Sequence, residues 1–416
     1  MHTDAPQANP VEPLVLTGYH DVLEVFRTPS LGTFIHDGTE AYRLGTLLRI
    51  EGDAHLHRRR TMSQLFRGDG DTWFRERVLF PAIRHHIEAV LMGAGSDGVA
   101  EVDLAEMALL AFYQLQAEVI GLHQVSSREA AQEFRSFMEP IRLAMAIEDL
   151  VEVDRKRIAS EGLARKEEFH SRYWAPAVAD HEAFLDRIES GELPASELHH
   201  DLITMILTGK DHAWTQDSEL GMREALTDML NAGVRSTAAA LVQAAHDLLQ
   251  WFRAHPEDRA LNTDSTFVSA AINESLRLTP FPSFHRIALE DLTLKSGTTI
   301  EKGRRVTVLL PPANRDQSVF GEDADLFNPR RQLPPGVYPY GLAFGSGRHM
   351  CYGFPLVMGS DGTSGALAQM LVAMFEAGLE AHPTKEPELL DDRYRRVWSK
   401  YPALMHRNNA APQTDV

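Results

Sequence analysis

Residues 217–253, DSELGMREALTDMLNAGVRSTAAALVQAAHDLLQWFR, contain no proline; the next one is Pro256. A helix over this stretch spans roughly 50 Å at 1.5 Å per residue. That is long enough to cross the whole molecule, so the rest of the chain must be arranged around it. The stretches on either side also have helical patterning. Residues 72–92 carry apolar side chains at helical spacing, with a proline that bends or restarts the helix, and 99–122 and 127–147 have the same texture. Residues 155–190 predict a polar-faced helix or helix pair. A loop signal, GELPASE, precedes a further helix. TDSTFVSAAINESLRL predicts a helix capped by Asp264 or Ser265 and ended by Pro280.

Beyond Pro280 the texture changes. DLTLKSGTTIEKGRRVTVLL predicts short strands joined by glycine turns. Residues 311–350, rich in Pro, Gly and Asn, predict irregular chain, and a last helix is expected over about 364–377. No repeat or linker divides the sequence. The expectation is one mainly α domain over 1–416 with a small β part, a loose leader (1–13) and a loose tail (408–416).

Composition bounds the functional classes. Apolar residues make up 44% and charged residues 24%, as in an ordinary soluble domain. No run approaches the ~18 apolar residues of a membrane span. The N-terminus has no signal-peptide pattern. A formal charge of −18 argues against nucleic acid and anionic membrane as partners. A cytoplasmic protein acting on a small molecule is expected.

The chain has a single cysteine, in FGSGRHMCYG (344–353). One thiol closes no intramolecular disulfide and no four-cysteine metal cluster. Cys351 is then either an inert buried residue in a glycine-rich turn or a ligand whose partner is not a thiol. A thiolate needs positive or dipolar surroundings, and haem iron takes a single cysteine as axial ligand. Gly345, Gly347 and Gly353 let backbone approach the sulfur closely. A helix starting just after it would favour negative charge.

The full spacing Phe344-Gly345-x-Gly347-x-His349-x-Cys351-x-Gly353 resembles the haem-binding loop of the cytochromes P-450, the haem-thiolate monooxygenases. Other segments extend the resemblance. Glu274-Ser-Leu-Arg277 is similar to the family's ExxR pair. Ala313-Asn-Arg-Asp316 and Phe327-Asn-Pro-Arg330 resemble the segments that follow it, with Arg330 expected to join the pair. Gly18-Tyr19-His20-Asp21-Val22 resembles an early segment of bacterial members. The resemblance implies the cytochrome P-450 fold, with haem b between the long helix and the cysteine loop. Cys351 would ligate iron, and His55, Arg59, Arg286 and His349 would hold the propionates. Electrons would come from a ferredoxin or flavodoxin, and the substrate would be one specific small molecule, in natural-product tailoring or a similar role. Pocket walls are expected from residues 32–50, 138–150, the long helix and 281–285, with Phe281 and Phe284 among them.

Two segments depart from the family pattern. In the long helix the family has small-Gly-x-acid-Thr-Thr/Ser, where acid and alcohol deliver protons during oxygen activation. Here the residues are Ala232-Gly233-Val234-Arg235-Ser236-Thr237. Gly233, Ser236 and Thr237 are expected at the oxygen site. Arg235 replaces the acid and cannot release a proton at working pH. Three alternatives follow. Arg235 is used in an ion pair inside the bundle. Or it binds an acidic substrate group, as in the similar fatty-acid peroxygenases. Or the reaction is not simple oxygen insertion but coupling, nitration or dehydration. Peroxide-driven turnover and a haem-containing binder or sensor are the rival functions. The second departure follows the cysteine: PLVMGSDGTSGALAQML lacks the usual basic residue near Val357-Met358. Its glycines predict a loop where the electron donor would dock.

Overall fold

The computed structural model describes residues 12–34, 39–147, 150, 153–281, 283–390 and 397–407. The expected tail (408–416) and nearly all of the leader lie outside these residues. So do 35–38 and 148–149 of the expected pocket wall.

In chain order, β1 (Leu14–Leu16), α1 (Tyr19–Arg27), β2 (Leu31–Thr33) and α2 (Gly52–Met62) open the fold. They lead to α3 (Phe80–Met92), which continues directly from a π-helical stretch over Phe74–Leu79; Pro81, with no N–H to donate, sits just past that junction. A helix over 99–122 is corrected by the structure. Val99–Asp103 is a strand, β3, and α4 runs from Leu104 to Ile120. Asp103 explains the boundary. Its Oδ1 accepts from the Ala105 N–H at 3.0 Å, capping α4, and from the Tyr401 N–H at 2.9 Å.

Helices α5 (Arg128–Met145), α6 (Arg155–Phe169), α7 (Ala175–Glu189) and α8 (Leu202–Leu207) follow. The long helix begins at Leu220, winds as a π-helix over Ala225–Asn231 and continues as α9 (Ala232–Ala254). It packs on α4 and on α10 (Ser265–Leu278), whose N-cap Asp264 accepts from the Phe267 N–H at 2.8 Å. After β4 (Ser283–Ala288) and β5 (Arg305–Leu309) come α11 (Phe354–Met358), α12 (Ala366–Glu376), β6 (Glu380–Ala381) and β7 (Pro402–His406).

One sheet has the order β1–β5–β4–β2, with β1 parallel to β5 and the other pairs antiparallel. Thr33 pairs with Arg286 in it. A second sheet sets β7 between β3 and β6. Two apolar clusters result. The large one joins the helices around α9, and the small one joins α1 to the first sheet. The cysteine loop bridges them: Leu342 is buried in the small cluster and Phe344 packs against the large one. No helix among the described residues is long and apolar enough to cross a membrane.

Candidate active site

The cysteine loop is positioned by a buried ionic network that begins on α10. Glu274 and Arg277 lie on one face and form a two-pronged pair, Nε–Oε2 2.7 Å and NH2–Oε1 2.7 Å. Arg277 is fully buried, and its NH1 donates to the Asn314 and Ala324 carbonyls, each at 2.7 Å. Asn314 in turn accepts from the Leu342 N–H at 2.8 Å. Leu342 leads into Phe344, whose carbonyl accepts from the Cys351 N–H at 2.9 Å. The path from helix to sulfur is therefore a chain of hydrogen bonds.

Arg330 does not join this pair. Its neighbour Arg331 does, Nε to Glu274 Oε1 at 2.9 Å, while Arg330 binds Asp258 at 2.5 Å near the surface. Both arginines sit in irregular chain after Asn328, where spacing gives no facing information. Arg331 is the one turned inward.

Within the loop, Gly345 has a φ of 67°, and its N–H closes a turn on the Leu342 carbonyl at 2.9 Å. At Gly347 a Cβ would lie 2.6 Å from the Phe26 carbonyl, so only glycine lets the loop lie against α1. Arg27 ties the same spot, donating from Nε to Ser346 Oγ at 3.0 Å. Phe344 and Phe354 meet edge to face at 5.0 Å and brace the loop from inside.

Cys351 is exposed to open space yet lies deep in the molecule; burial pushes its thiol upward. Both facts hold for a side chain on the wall of an interior cavity. The Gly353 and Phe354 N–H groups and the nearby Arg59 act the other way, toward thiolate. Gly353 caps α11, which starts at the next residue. The long helix also has an accessible stripe. Ala232 is exposed and Ser236 partly so, although Leu230, Val234 and Leu241 beside them are buried. Ser236 donates to the Ala232 carbonyl and Thr237 to the Gly233 carbonyl, each at 2.6 Å. Thr237 is buried, and Gly233 faces α4: a Cβ there would lie 3.1 Å from Gln116 Nε2. The residues on the accessible stripe are thus Ala232 and Ser236, and Gly233 serves helix packing.

The predicted propionate holders converge on the other side of the loop. His55 lies tilted against His349 with ring centres 4.1 Å apart. Burial, His349 and Arg59 hold the His55 pKa down at about 4, and its Nδ1 is buried without a hydrogen-bond partner. Arg286 is 6% exposed, and its NH1 donates to the His285 carbonyl at 3.0 Å. Burial pulls it down to about 10. Neither Arg59 nor Arg286 has a carboxylate partner among the described residues. His349 does have one, at 2.8 Å from Glu51 Oε2. Burial would raise Glu51, but His349 and the Thr33 N–H and hydroxyl outweigh it and bring it to about 2. Glu51 carries no motif and was not anticipated. A buried Arg286, a partly buried Arg59 and a dry imidazole nitrogen make a cradle in which Glu51, paired with His349, is the one carboxylate among the described residues, so positive charge is in excess. Such a set fits a cofactor with two carboxylates, beside a sulfur that faces open space.

Arg235 turns to a small hollow lined by Tyr113, Met138, Ile141, Arg142 and Met145. Burial and Arg142 lower its pKa. The nearby Glu139 is already gripped by Arg142, Nε at 2.9 Å and NH2 at 2.5 Å. Arg235 has no ion pair of its own among the described residues. Phe281 is 46% exposed and belongs to no wall described here.

The comparisons identify the family and the fold. The family model described as "Cytochrome P450" matches residues 37–358. The bifunctional cytochrome P450/NADPH–P450 reductase 2 of Bacillus subtilis is 33% identical over 181 residues, 38% of this chain and 17% of that protein. The biotin biosynthesis cytochrome P450 of the same organism is 32% identical over 158 residues, 38% of this chain and 37% of that one. The chain thus spans less than two-fifths of the length of these curated relatives. A crystal structure of P450BioI with a hexadecenoic acid-ligated acyl carrier protein superposes with a TM-score of 0.69 at 19% identity, covering 96% of this chain and 95% of that one. With most of its length inside the family model and the same fold around its single cysteine, the chain belongs to the cytochrome P450 family, whose cofactor is haem b.

Proposed function

We propose that this protein is a haem-thiolate oxidoreductase acting on a small organic molecule that carries an acidic group, with Arg235 receiving that group. The observation that carries the second half is the Arg235 guanidinium, which has no ion pair among the described residues, at an otherwise largely apolar hollow. An arriving carboxylate would offset the cost of burying that charge and meet a two-pronged donor.

In this proposal Cys351 would ligate the haem iron, and Arg59, Arg286, His55 and His349 would hold the propionates. Haem, when bound, would supply oxidation by oxygen or peroxide. The chain's residues supply the rest. The loop amides and Arg59 favour the thiolate against the burial that raises its pKa, and a bound iron would complete the ionisation. Ser236 presents a hydroxyl on the accessible stripe that donates to the Ala232 carbonyl; to pass a proton on, it would turn from that carbonyl, giving its proton toward the site while taking one from water. Arg235 orients substrate and transfers no proton. The substrate's acid then takes the place that the family's acidic residue holds.

A ferredoxin or flavodoxin is the proposed electron donor. A peroxide-driven reaction is the second reading, favoured by Arg235 and by the changed face after the cysteine. There α11 ends at Met358, and α12 begins only at Ala366. The test is a titration of the purified haem protein with matched carboxylated and neutral compounds, followed by the Soret band, in wild type and Arg235→Leu. Loss of about ten- to a hundredfold in affinity for acids alone is expected. Equal binding of acids and neutrals by both proteins would sink the anchor role. Turnover with peroxide and no electron donor separates the two readings.

A further inference from the structure

Away from the cysteine loop, four side chains from separate segments converge: His123 in the turn after α4, His181 on α7, and His199 and Asp201 just before α8. One ligand atom from each lies within 4.8 Å of all the others. We propose that His123, His181, His199 and Asp201 form a structural zinc site.

The hydrogen-bond directions carry the argument. His181 Nδ1 lies 2.7 Å from the Ala177 carbonyl, which can only accept, so Nδ1 bears the proton. His123 Nδ1 lies 2.9 Å from Glu118 Oε2, which fixes the same tautomer. Both Nε2 lone pairs therefore point inward. His181 Nε2 is 2.9 Å and His123 Nε2 is 3.8 Å from Asp201 Oδ2, and His199 Nδ1 is 3.6 Å from the same oxygen. Three imidazole nitrogens thus surround one carboxylate oxygen. A neutral His181 would leave lone pair against lone pair. Protonating it satisfies that pair, yet His123 Nε2 and His199 Nδ1 remain buried without any hydrogen-bond partner. One divalent cation satisfies all four.

Outward hydrogen bonds from ligand imidazoles to a carboxylate and a carbonyl are the usual way a zinc site fixes its ligands. Asp201 is likewise pre-set. It is 1% exposed, and its Oδ1 caps α8 through the Thr204 N–H at 2.7 Å, leaving Oδ2 for the metal. A tetrahedral zinc with three nitrogens and one oxygen places ligand atoms about 3.3 Å apart, so the observed 2.9–3.8 Å spacings about Asp201 need only small shifts. Space is reserved too. At Gly121, which ends α4 with a φ of 101°, a Cβ would lie 2.8 Å from His181 Nε2 and 3.1 Å from Asp201 Cγ. Phe184 stacks on His199 at 4.2 Å and shields that side. Four protein ligands leave no open position, so the site is a staple joining α4, α7 and α8.

The test uses tag-free haem-loaded protein, equilibrated by dialysis against micromolar zinc and then assayed for zinc and iron together. One zinc per chain is expected, with nitrogen and oxygen neighbours in zinc-edge X-ray absorption. The double variant His123→Gln/His199→Gln should lose zinc affinity by at least about a hundredfold while keeping its Soret band. Chelation should lower the melting temperature of wild type and leave that of the variant unchanged. Wild type without stoichiometric zinc, or a variant that keeps its zinc, would overturn the proposal. The first result would leave only a His181–Asp201 ion pair, and the second would place the metal elsewhere.

Discussion

Two sets of buried arginines lie on either side of the cysteine loop, and they are treated in opposite ways. Behind the loop, Arg277 and Arg331 share Glu274, and carbonyls from the irregular chain take up their other donors. In front of it, Arg286 is buried and Arg59 and Arg235 are partly so, with no carboxylate of their own among the described residues. A buried charge without a partner is costly. A fold keeps one where something that arrives later will neutralise it. The complete network belongs to the scaffold, and the incomplete one is where the proposal places ligands.

Breaking the complete set should have the largest effect. Glu274→Gln leaves Arg277 and Arg331 buried and uncompensated, and should cost about 3–5 kcal/mol in denaturant unfolding. A loss below about 1 kcal/mol would mean that the network is not structural. Breaking the incomplete set should separate cofactor from fold. Arg286→Leu removes an unpaired charge, so the apoprotein should unfold no more easily than wild type. Its rate of haem loss to an excess of acceptor protein should rise about tenfold or more. A destabilised apoprotein with unchanged haem retention would erase the distinction.

A third, smaller effect concerns acid. His55 titrates near 4 in the folded chain against an ordinary 6.5. Between these values the unfolded state binds more protons, so apoprotein stability falls as pH drops from about 6.5 to 4. His55→Gln should flatten that part of the stability profile, and an unchanged slope would contradict the assignment. The smallest effect is expected at Arg330, whose side chain is 56% exposed beside Asp258. Arg330→Ala should change stability by no more than about 1 kcal/mol. A larger loss would return it to the network.

The cysteine loop was legible because its glycines recur at fixed spacing for a backbone reason, and α10 because an i, i+3 pair must share a face. The long helix was legible from its freedom from proline, but its π-helical start was not. Nothing in ALTDMLN forbids ordinary winding. The strand at Val99–Asp103 was lost inside a helical pattern because its pairing with β7 joins residues some three hundred positions apart. Choosing Arg331 over Arg330 required coil geometry, and Glu51 required knowing which side chain meets His349. The direction of Gly233 was set by Gln116 on α4, a neighbour that no local motif announces.

The gap between α11 and α12 has an evolutionary consequence. Gly359 and Gly365 meet backbone to backbone: a Cβ at Gly359 would lie 2.6 Å from the Gly365 nitrogen, and a Cβ at Gly365 would overlap Met358 and Gly359. Asp361 closes the intervening turn, accepting from the Thr363 and Ser364 N–H groups at 2.8 Å each. Restoring an unbroken helix with a basic docking face would require removing the turn and replacing both glycines together. Any one of these changes alone collides with the others. A chain with this kink therefore reaches an unbroken helix only through coordinated changes and not by single substitutions.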